Sequence, residues 1–173
     1  MQAGKLTGKV TAVSRSSQHG FPKHSSDVLH LTRGQGIRDD AHSSDAEVPT
    51  TRQVHLMASE LHHELNAAGF TISPGQLGDN ITTKDIDVLA LPLHTTLQIG
   101  DAQLRVTGIR NPCSSLEAQH PGITKFMMRR DESGLMQRRT GIFATVTQEG
   151  EVAEGATIAA QLPPEPHEKL PVL

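Results

Sequence analysis

Short β-type runs separated by Gly, Pro and Asp limit the folds open to this chain more than any other feature. Residues 9–14 alternate in polarity like a half-buried strand. One amphipathic helix is predicted from Ser59, which could cap it, to Gly69, which could end it. Further β-type runs lie at 52–57, 80–83, 86–89, 96–99, 103–109, 141–147 and 151–160. Because long helices do not alternate with these runs, we predict a mainly β fold, a closed or partly open barrel with a few short helices.

The remaining segments are predicted to be loops and short helices of a single domain. A chain of 173 residues suits one domain, and neither an internal repeat nor a linker divides it. We expect that domain to span residues 1–173, with its core at about 8–162. Ser, His, Gly and Pro over 14–30 and Asp and Ser over 33–51 predict exposed loops, the second long and mobile. Residues 115–120 and 124–130 suit short helices, and the proline-rich residues 163–173 a surface tail.

Charge and cysteine content exclude several classes of protein. A net charge of −3 argues against a general nucleic-acid binder, which needs a basic face for phosphates. Nothing approaches the apolar run of a membrane span, and the N-terminus has no signal-type stretch. With one cysteine, no intrachain disulfide can form. We therefore expect a cytoplasmic protein without nucleic-acid or membrane partners.

Cys113 is the residue best suited to chemistry. It follows Pro112, which fixes φ, where a predicted strand gives way to a turn. Arg110 would hold positive charge near the sulfur and favour the thiolate, the form that attacks electrophiles and binds metals. A lone cysteine can equally be a small buried hydrophobe, so these residues alone leave both roles open.

The ten histidines raise the alternative of a metal site. His62 and His63 are neighbours on the predicted helix and cannot both face one ion, so we interpret them as solvated. Asp39, Asp40 and His42 are also more typical of a solvated loop than of a ligand set. A second cysteine for a structural zinc site is absent from the sequence.

Two further segments could meet an anion. Residues 74–83, PGQLGDNITT, are rich in turn residues and could expose backbone amides, although the ending of a Walker loop is absent. On local grounds an ordinary turn before a strand is favoured. A basic cluster is either a solvated face or a site for a phosphate-bearing cofactor; it comprises Lys125, Arg129, Arg130, Arg138 and Arg139.

Taken together, these segments resemble the MOSC domain, named for the C-terminal domain of molybdenum-cofactor sulfurase, in its stand-alone bacterial form. PGQLGDNITT at 74–83 and TGIRNPC at 107–113 carry the resemblance. Supporting stretches are GFPK at 20–23, RQVHL at 52–56, LQIGD at 97–101, GIFA at 141–144 and GEV at 150–152. The match runs from about residue 8 to residue 162. It implies a barrel like the small barrel domain of pyruvate kinase.

The resemblance implies that Cys113 is functional, either carrying persulfide sulfur toward the molybdenum cofactor or ligating molybdenum itself. Arg110, Arg52 and the amides around Gly78 would then meet the phosphate of molybdopterin, with Asn80 and Thr82 lining the pocket. The family's Gly-Asp-x-His-x-Gly stretch corresponds here to residues 39–44, DDAHSS. Asp40 and His42 are retained as cofactor-binding candidates, but both flanking glycines are replaced.

The function predicted from the resemblance is molybdenum-cofactor binding, sulfur carriage, or both. One alternative is a molybdenum-dependent reductase of N-hydroxylated bases or amidoximes that works with a partner electron donor. Another is a non-enzymatic binding module. The implied partners are a sulfur donor of the cysteine desulfurase type or an electron-transfer reductase. Pyridoxal phosphate would be needed only on a desulfurase.

Overall fold

The computed structural model describes residues 6–20, 22–44 and 49–173, and most of its regular elements are short strands. In chain order the strands are β1 Thr7–Arg15, β2 His24–Ser25, β3 Val28–Thr32, β4 Gly36–Ile37, β5 Val54–Ala58, β6 Ile81–Lys84, β7 Thr96–Ile99, β8 Ala102–Ile109, β9 Met128–Arg130, β10 Met136–Arg138, β11 Ile142–Gln148, β12 Gly150–Ala153 and β13 Thr157–Gln161. The helices are α1 Ser59–Ala67, α2 Ser114–Gln119 and α3 Ile123–Met127, with a 3-10 turn at Val88–Ala90.

Seven of these strands close into a barrel. They follow one another in the order β1, β6, β5, β11, β8, β7 and β13, and β13 returns to pair with β1. Every neighbour is antiparallel except β5 and β6, which are parallel and joined through α1. Closure leaves no open sheet edge around the ring. The predicted mainly β, closed barrel with a few short helices is confirmed.

The barrel is filled with aliphatic side chains because alternate residues of each strand point inward. In β8 the inward positions are Ala102, Leu104 and Val106, all fully buried. A second core lies outside the barrel, where Leu61 and Leu65 of α1 pack with Leu116 and Ile123 of α2 and α3. This second core fixes the helices that follow Cys113. Among the described residues, no helix has the length and apolarity to cross a membrane.

Two predicted loops contain strands. β2 and β4 form within the predicted exposed loops at 14–30 and 33–51, and β3 begins in the first of these loops and ends at Thr32. In β3, Leu29 and Leu31 are buried, and the strand pairs with β12 on one side and β4 on the other. The Ser and His residues on either side of β3 make its short alternation of buried and partly exposed residues difficult to recognise in the sequence. Of the residues that the sequence analysis assigned to loops or to the N-terminus, 1–5, 21 and 45–48 lie outside the described part of the chain.

Three other elements differ from their predictions for local reasons. In place of the strand predicted at 86–89, a 3-10 turn forms at Val88–Ala90 because the Asp87 carboxylate accepts the amides of Leu89 and Ala90. The run at 151–160 is divided into β12 and β13 by a turn at Gly155, whose φ is +88°. The predicted helix at 124–130 ends at Met127, and the chain continues as β9, which pairs with β10.

The last residues lie along the end of β8. Val172 pairs in parallel with Ile109, and the amide of Leu173 donates to the Ile109 carbonyl at 2.9 Å. The Ile109 amide donates in turn to the Pro171 carbonyl at 2.8 Å. A Cβ on Gly108 would lie 2.6 Å from Leu173 Cγ, so this glycine permits the close approach. The segment is therefore held beside the strand that leads to Cys113.

Replacing Leu104 with Ala should destabilise the protein by about 2–5 kcal/mol, since it empties a fully buried position in the barrel. The matched control is Leu135→Ala, because Leu135 is 61% exposed and should change stability by less than about 0.5 kcal/mol. Urea denaturation followed by circular dichroism measures both. Equal shifts of the two midpoints would contradict the assignment of Leu104 to the barrel core.

Candidate functional site around Cys113

Cys113 lies just beyond the end of β8, and its thiol is exposed at a cavity of about 250 Å³. Six predicted site residues line this cavity: Cys113, Arg110, Gly78, Asn80, Arg52 and His42. The other lining residues are Gly20, Lys23, His55, Asn111, Phe143 and Leu173. Among these described residues there is no Asp or Glu side chain. The cavity therefore combines one thiol with several cationic or neutral hydrogen-bond donors.

A larger cavity of about 790 Å³ lies elsewhere, between α1, residues 85–90 and the β9–β10 hairpin. Its lining mixes carboxylates, such as Glu60 and Asp87, with guanidinium groups, such as Arg129 and Arg139. Its lining contains no cysteine or histidine. The smaller cavity is the better candidate site because its lining includes the Cys113 thiol, which the larger cavity does not have.

Arg110 places a buried cation next to the sulfur. Its guanidinium donates to the Leu77 carbonyl, and its backbone carbonyl accepts from the Thr140 hydroxyl. Burial lowers the pKa of Arg110, while its hydrogen bond and charge interaction with Cys113 oppose that shift. An arginine remains protonated under such conditions. The Arg110 guanidinium therefore lies beside the Cys113 sulfur, three residues away in the sequence.

A buried ion pair supports the opposite wall. Lys23 Nζ lies 2.9 and 2.7 Å from the two carboxylate oxygens of Asp40. The amides of Ser16 and His42 also donate to this carboxylate, at 3.1 and 3.0 Å. Burial by itself would raise the pKa of Asp40, but the hydrogen bonds from His42 and Lys23 outweigh it and hold the pKa well below its usual range. Asp40 is therefore a buried anion.

The interpretation of Asp39, Asp40 and His42 as a solvated loop is wrong for Asp40. Asp40 is 3% exposed and lies behind the cavity wall, whereas Asp39 is exposed and lies 3.4 Å from Arg15. His42 is half-buried and lines the cavity, with Nδ1 3.3 Å from Lys23 Nζ. Lys23 lies in a segment with loop composition, so its only sequence signal is its place in the GFPK stretch.

Asn80 joins three segments of the wall. Its side-chain oxygen accepts from the His55 amide at 3.0 Å, and its amide nitrogen donates to the Ser14 carbonyl and to Asp40, both at 3.1 Å. Thr82 does not line the cavity; its hydroxyl donates to Asp79 at 2.6 Å. Thr82 is therefore connected to the site only through the loop that carries Gly78, whereas Asn80 both fixes that loop and lines the cavity.

The backbone amides of residues 74–83 are largely engaged within the protein. Gly75 donates to the Asp79 carboxylate, Gln76 to the Ser73 carbonyl, Gly78 to the Gly75 carbonyl and Asn80 to the His55 carbonyl. Gly78 lines the cavity with a φ of +88°, but its amide already has a partner. An anion in the cavity would therefore be met by the side chains of Arg110 and Arg52 and not by these amides, since Lys23 is paired with Asp40.

His55 and Phe143 form the floor beside Arg52. Burial lowers the pKa of His55 to about 3, and the charge of Arg110 adds to the shift, so the ring is neutral at neutral pH. His55 Nε2 donates to the Thr140 carbonyl at 2.8 Å. The ring of Phe143 lies 5.3 Å from that of His55 and 5.8 Å from the guanidinium of the exposed Arg52. The only sequence signal for both rings was their place in the RQVHL and GIFA stretches.

The interpretation of His62 as a solvated residue is also wrong. His62 is 3% exposed on the inner face of α1, and its Nε2 contacts Met57 Sδ at 3.2 Å. Burial lowers the pKa of His62, although the Asp79 carboxylate 3.8 Å away opposes the shift. His63 is exposed, as predicted. Within the described ranges, no three His, Cys, Asp or Glu side chains are grouped as a metal site would require.

The predicted basic cluster does not line the Cys113 cavity. Its members lie on α3 and on the β9–β10 hairpin or at its base. Arg139 pairs with Glu64 of α1 at 2.7 Å, and Arg138 Nε donates to Asn111 at 3.4 Å. A direct role for the cluster in holding a cofactor phosphate in this cavity is therefore not supported by its position.

Comparisons with known proteins agree with the barrel. A family model described as MOSC domain matches residues 27–159. The YuaD protein from Bacillus subtilis superposes with a TM-score of 0.72 at 21% identity, over 92% of this chain and 98% of that one. YiiM from Geobacillus stearothermophilus gives 0.65 at 18% identity, over 89% and 75%. YiiM from Escherichia coli gives 0.63 at 18%, over 92% and 73%. A comparison with curated proteins found no significant match.

Breaking the buried ion pair should be costly. We expect Lys23→Met or Asp40→Asn to destabilise the protein by about 3–5 kcal/mol, because each leaves its partner's charge buried and unpaired. The free energy of unfolding should fall less in the double variant than the sum of the losses in the two single variants. Arg15→Met is the control, since the exposed Arg15–Asp39 pair should contribute less than about 1 kcal/mol. Additive losses in urea denaturation would show that the two charges do not interact.

Acid should destabilise the protein partly through His55. Its folded-state pKa of about 3 lies below its ordinary value, so the unfolded chain binds a proton that the folded chain excludes. The stability that depends on a neutral His55 is fully present above about pH 6.5. It is lost by up to about 1.4 kcal/mol per pH unit as the pH falls from about 6.5 toward the folded-state pKa of about 3.

We expect His55→Gln to make the urea midpoint less dependent on pH between about 7.5 and 5. The control is His63→Gln, which removes an exposed histidine and leaves the buried His55 in place. The comparison uses the slope with pH and not the absolute stability, because the loss of the bond to Thr140 also changes the midpoint. An unaltered slope in His55→Gln would refute burial as the source of the acid sensitivity.

Proposed function

Because this chain belongs to the MOSC domain family, we propose that it binds the molybdenum cofactor in the Cys113 cavity, with the Cys113 sulfur toward the metal. The proposal is supported above all by one observation. An exposed thiol stands at the mouth of a cavity whose charged lining side chains, Lys23, Arg52 and Arg110, are cations. A site with this composition can hold an anionic ligand and offer it one soft donor atom.

The chemistry of the donor set fits this cofactor. A thiolate is a soft ligand suited to metals that bind sulfur. A guanidinium presents two parallel donors that match a phosphate, whereas the charge of Lys23 is balanced by Asp40. The cavity volume of about 250 Å³ is below the usual range of about 300–1,000 Å³ for ligand pockets. We therefore expect only part of the cofactor to be enclosed.

Each residue of the wall has a distinct part in this proposal. Arg110 places positive charge beside the Cys113 sulfur and meets negative charge on the ligand, while Arg52 contributes a second guanidinium at the exposed rim. Lys23 is held by Asp40, which also fixes Asn80. The neutral His55 adds no further positive charge. When bound, the cofactor would supply a metal centre for transfer of oxygen or electrons.

Sulfur carriage is the second candidate, and the exposure of Cys113 favours it. In that role the Cys113 thiolate attacks the terminal sulfur of a persulfide on a donor protein. The sulfur–sulfur bond of the donor breaks, and the donor leaves as its own thiolate. A carrier needs an accessible thiol but not a cationic cavity, so cofactor binding accounts for more of the site. Reduction of N-hydroxylated compounds would be a use of the bound cofactor.

The deciding experiment compares molybdenum content in variants expressed in a host that makes the cofactor. We expect Cys113→Ser to lower the molybdenum-to-protein ratio at least about tenfold, because a hydroxyl is a much poorer donor to a soft metal. Ser115→Ala, which alters an exposed position on α2, is the control and should retain the wild-type ratio. Elemental analysis by mass spectrometry measures the metal.

Two outcomes separate the candidates. Equal molybdenum in wild type and Cys113→Ser would contradict a metal-facing sulfur. No molybdenum in wild type, together with a gain of one sulfur atom on Cys113 after treatment with a cysteine desulfurase and cysteine, would favour the carrier. Intact-protein mass spectrometry before and after a thiol reductant detects that sulfur. Fold integrity is checked in each variant by its urea midpoint.

A further inference from the structure

The segment from residue 125 to 139, here called the basic hairpin, differs in charge from the rest of the chain. It carries five Lys or Arg and two Asp or Glu, whereas the whole chain has a net charge of −3. One of its acids is used internally, because the Asp131 carboxylate accepts the amides of Ser133 and Leu135 and closes the turn. Arg129 and Arg130 of β9 are exposed. The segment thus has a net charge of +3, and its Arg129 and Arg130 line the larger cavity opposite carboxylates of α1 and residues 85–87.

The same segment exposes apolar surface. Five large hydrophobic residues are exposed in the described chain, and three of them, Phe126, Leu135 and Met136, belong to the basic hairpin. Leu135, at the turn, is 61% exposed. Arginine, methionine and aromatic residues are the types enriched at protein–protein interfaces. Solvation of a charged face does not explain why apolar side chains accompany the arginines.

The edges of the hairpin are open. Within the described part of the chain, β9 and β10 pair only with each other, with Met136 opposite Arg130 and Arg138 opposite Met128. The barrel strands, by contrast, have neighbours on both sides. Unpaired strand edges readily accept another chain.

The basic hairpin is joined directly to the Cys113 site. α2 begins immediately after Cys113 and packs on α3 through Leu116, Ile123 and Met127, and α3 continues into β9. At the other end, Arg138 Nε donates to Asn111, which lines the cavity. A molecule that covers Arg138 of the hairpin would therefore lie next to Asn111 of the cavity lining.

We propose that the basic hairpin is the docking surface for a partner protein with an acidic face, which reaches the Cys113 cavity from this side. The inference rests on the proposed function, since it names the partner contact of the same site. Carboxylates of the partner would meet Arg129 and Arg130, and an apolar patch within its acidic face would cover Leu135 and Met136.

Two other occupants suit the surface less well. A nucleic acid would need phosphate contacts over a wider basic face, and it gains nothing from Leu135 and Met136. A second copy of this chain carries net negative charge and could supply carboxylates, but the same copy would bring its own basic hairpin. The identity of the crosslinked product distinguishes both occupants from an acidic partner protein.

The test places the photocrosslinking amino acid benzoylphenylalanine at Leu135 in the native host cell, with Leu6 as an exposed apolar control site. We expect the Leu135 probe to capture one protein with an acidic surface. Arg129→Glu with Arg130→Glu should lower the yield at least about tenfold. Arg38→Glu with Arg105→Glu, which changes two exposed arginines elsewhere and gives the same net charge, should not.

Two further measurements connect the captured protein to the site. In the purified adduct, alkylation of Cys113 by iodoacetamide should be slower than in the free protein, because the partner covers the cavity mouth. Raising salt from about 0.05 to about 0.5 M before irradiation should reduce capture of the purified partner. Equal yields from the two double variants, a product that is a second copy or a nucleic acid, or unchanged alkylation would overturn the proposal.

The molybdenum content separates this proposal from the proposed function. The Arg129→Glu/Arg130→Glu variant should retain the wild-type ratio, and a loss of metal would overturn docking by assigning the hairpin to the cofactor site. Wild-type protein without molybdenum but with charge-dependent capture would contradict cofactor binding and leave docking intact. Normal molybdenum with no capture at Leu135 would refute docking alone.

Discussion

The buried ion pair between Lys23 and Asp40 holds together the loops from which the Cys113 cavity is built. Both oxygens of the carboxylate contact the ammonium, and the remaining hydrogen bonds come from Ser16, His42 and Asn80. Since Asn80 also binds the His55 amide, the pair connects the segments before β2, after β4 and before β6 to the start of β5. A charge buried at this depth is tolerated only when such partners are all present. The cavity wall therefore depends on one cooperative polar network.

The other wall depends on Arg110. Its backbone is bonded to Thr140 and Gly141, and its guanidinium reaches Leu77, so three segments meet at one side chain. The barrel gives these segments fixed positions because β8 and β11 are adjacent. Cys113 follows three residues later, outside the barrel but anchored by the second core under α2 and α3. The sulfur is thus exposed, while the groups around it are held by hydrogen bonds and core packing.

Positive charge at the site and on the basic hairpin has one common consequence. The chain as a whole is acidic, yet the lining of the cavity and the basic hairpin are cationic. Fields of this kind attract anions and acidic surfaces to one region while the remainder of the molecule repels them. The proposed cofactor and the proposed partner would both be recognised by this contrast.

Sequence by itself determined the barrel and the region of the site. The alternation of polar and apolar residues in β1, β7, β8 and β11 is present in the local sequence and does not depend on tertiary contacts. Gly and Pro mark the turns between these strands. The TGIRNPC and PGQLGDNITT stretches located Cys113, Arg110, Gly78 and Asn80, which the structure brings to one cavity.

Tertiary structure alone decided which polar residues are buried. Lys23, Asp40 and His62 lie in segments of solvated composition, and each is buried because a partner distant in sequence contacts it. Such contacts between distant residues produce no periodic pattern in the sequence. The same holds for the pairing of β3 with β12 and for the open edges of the basic hairpin.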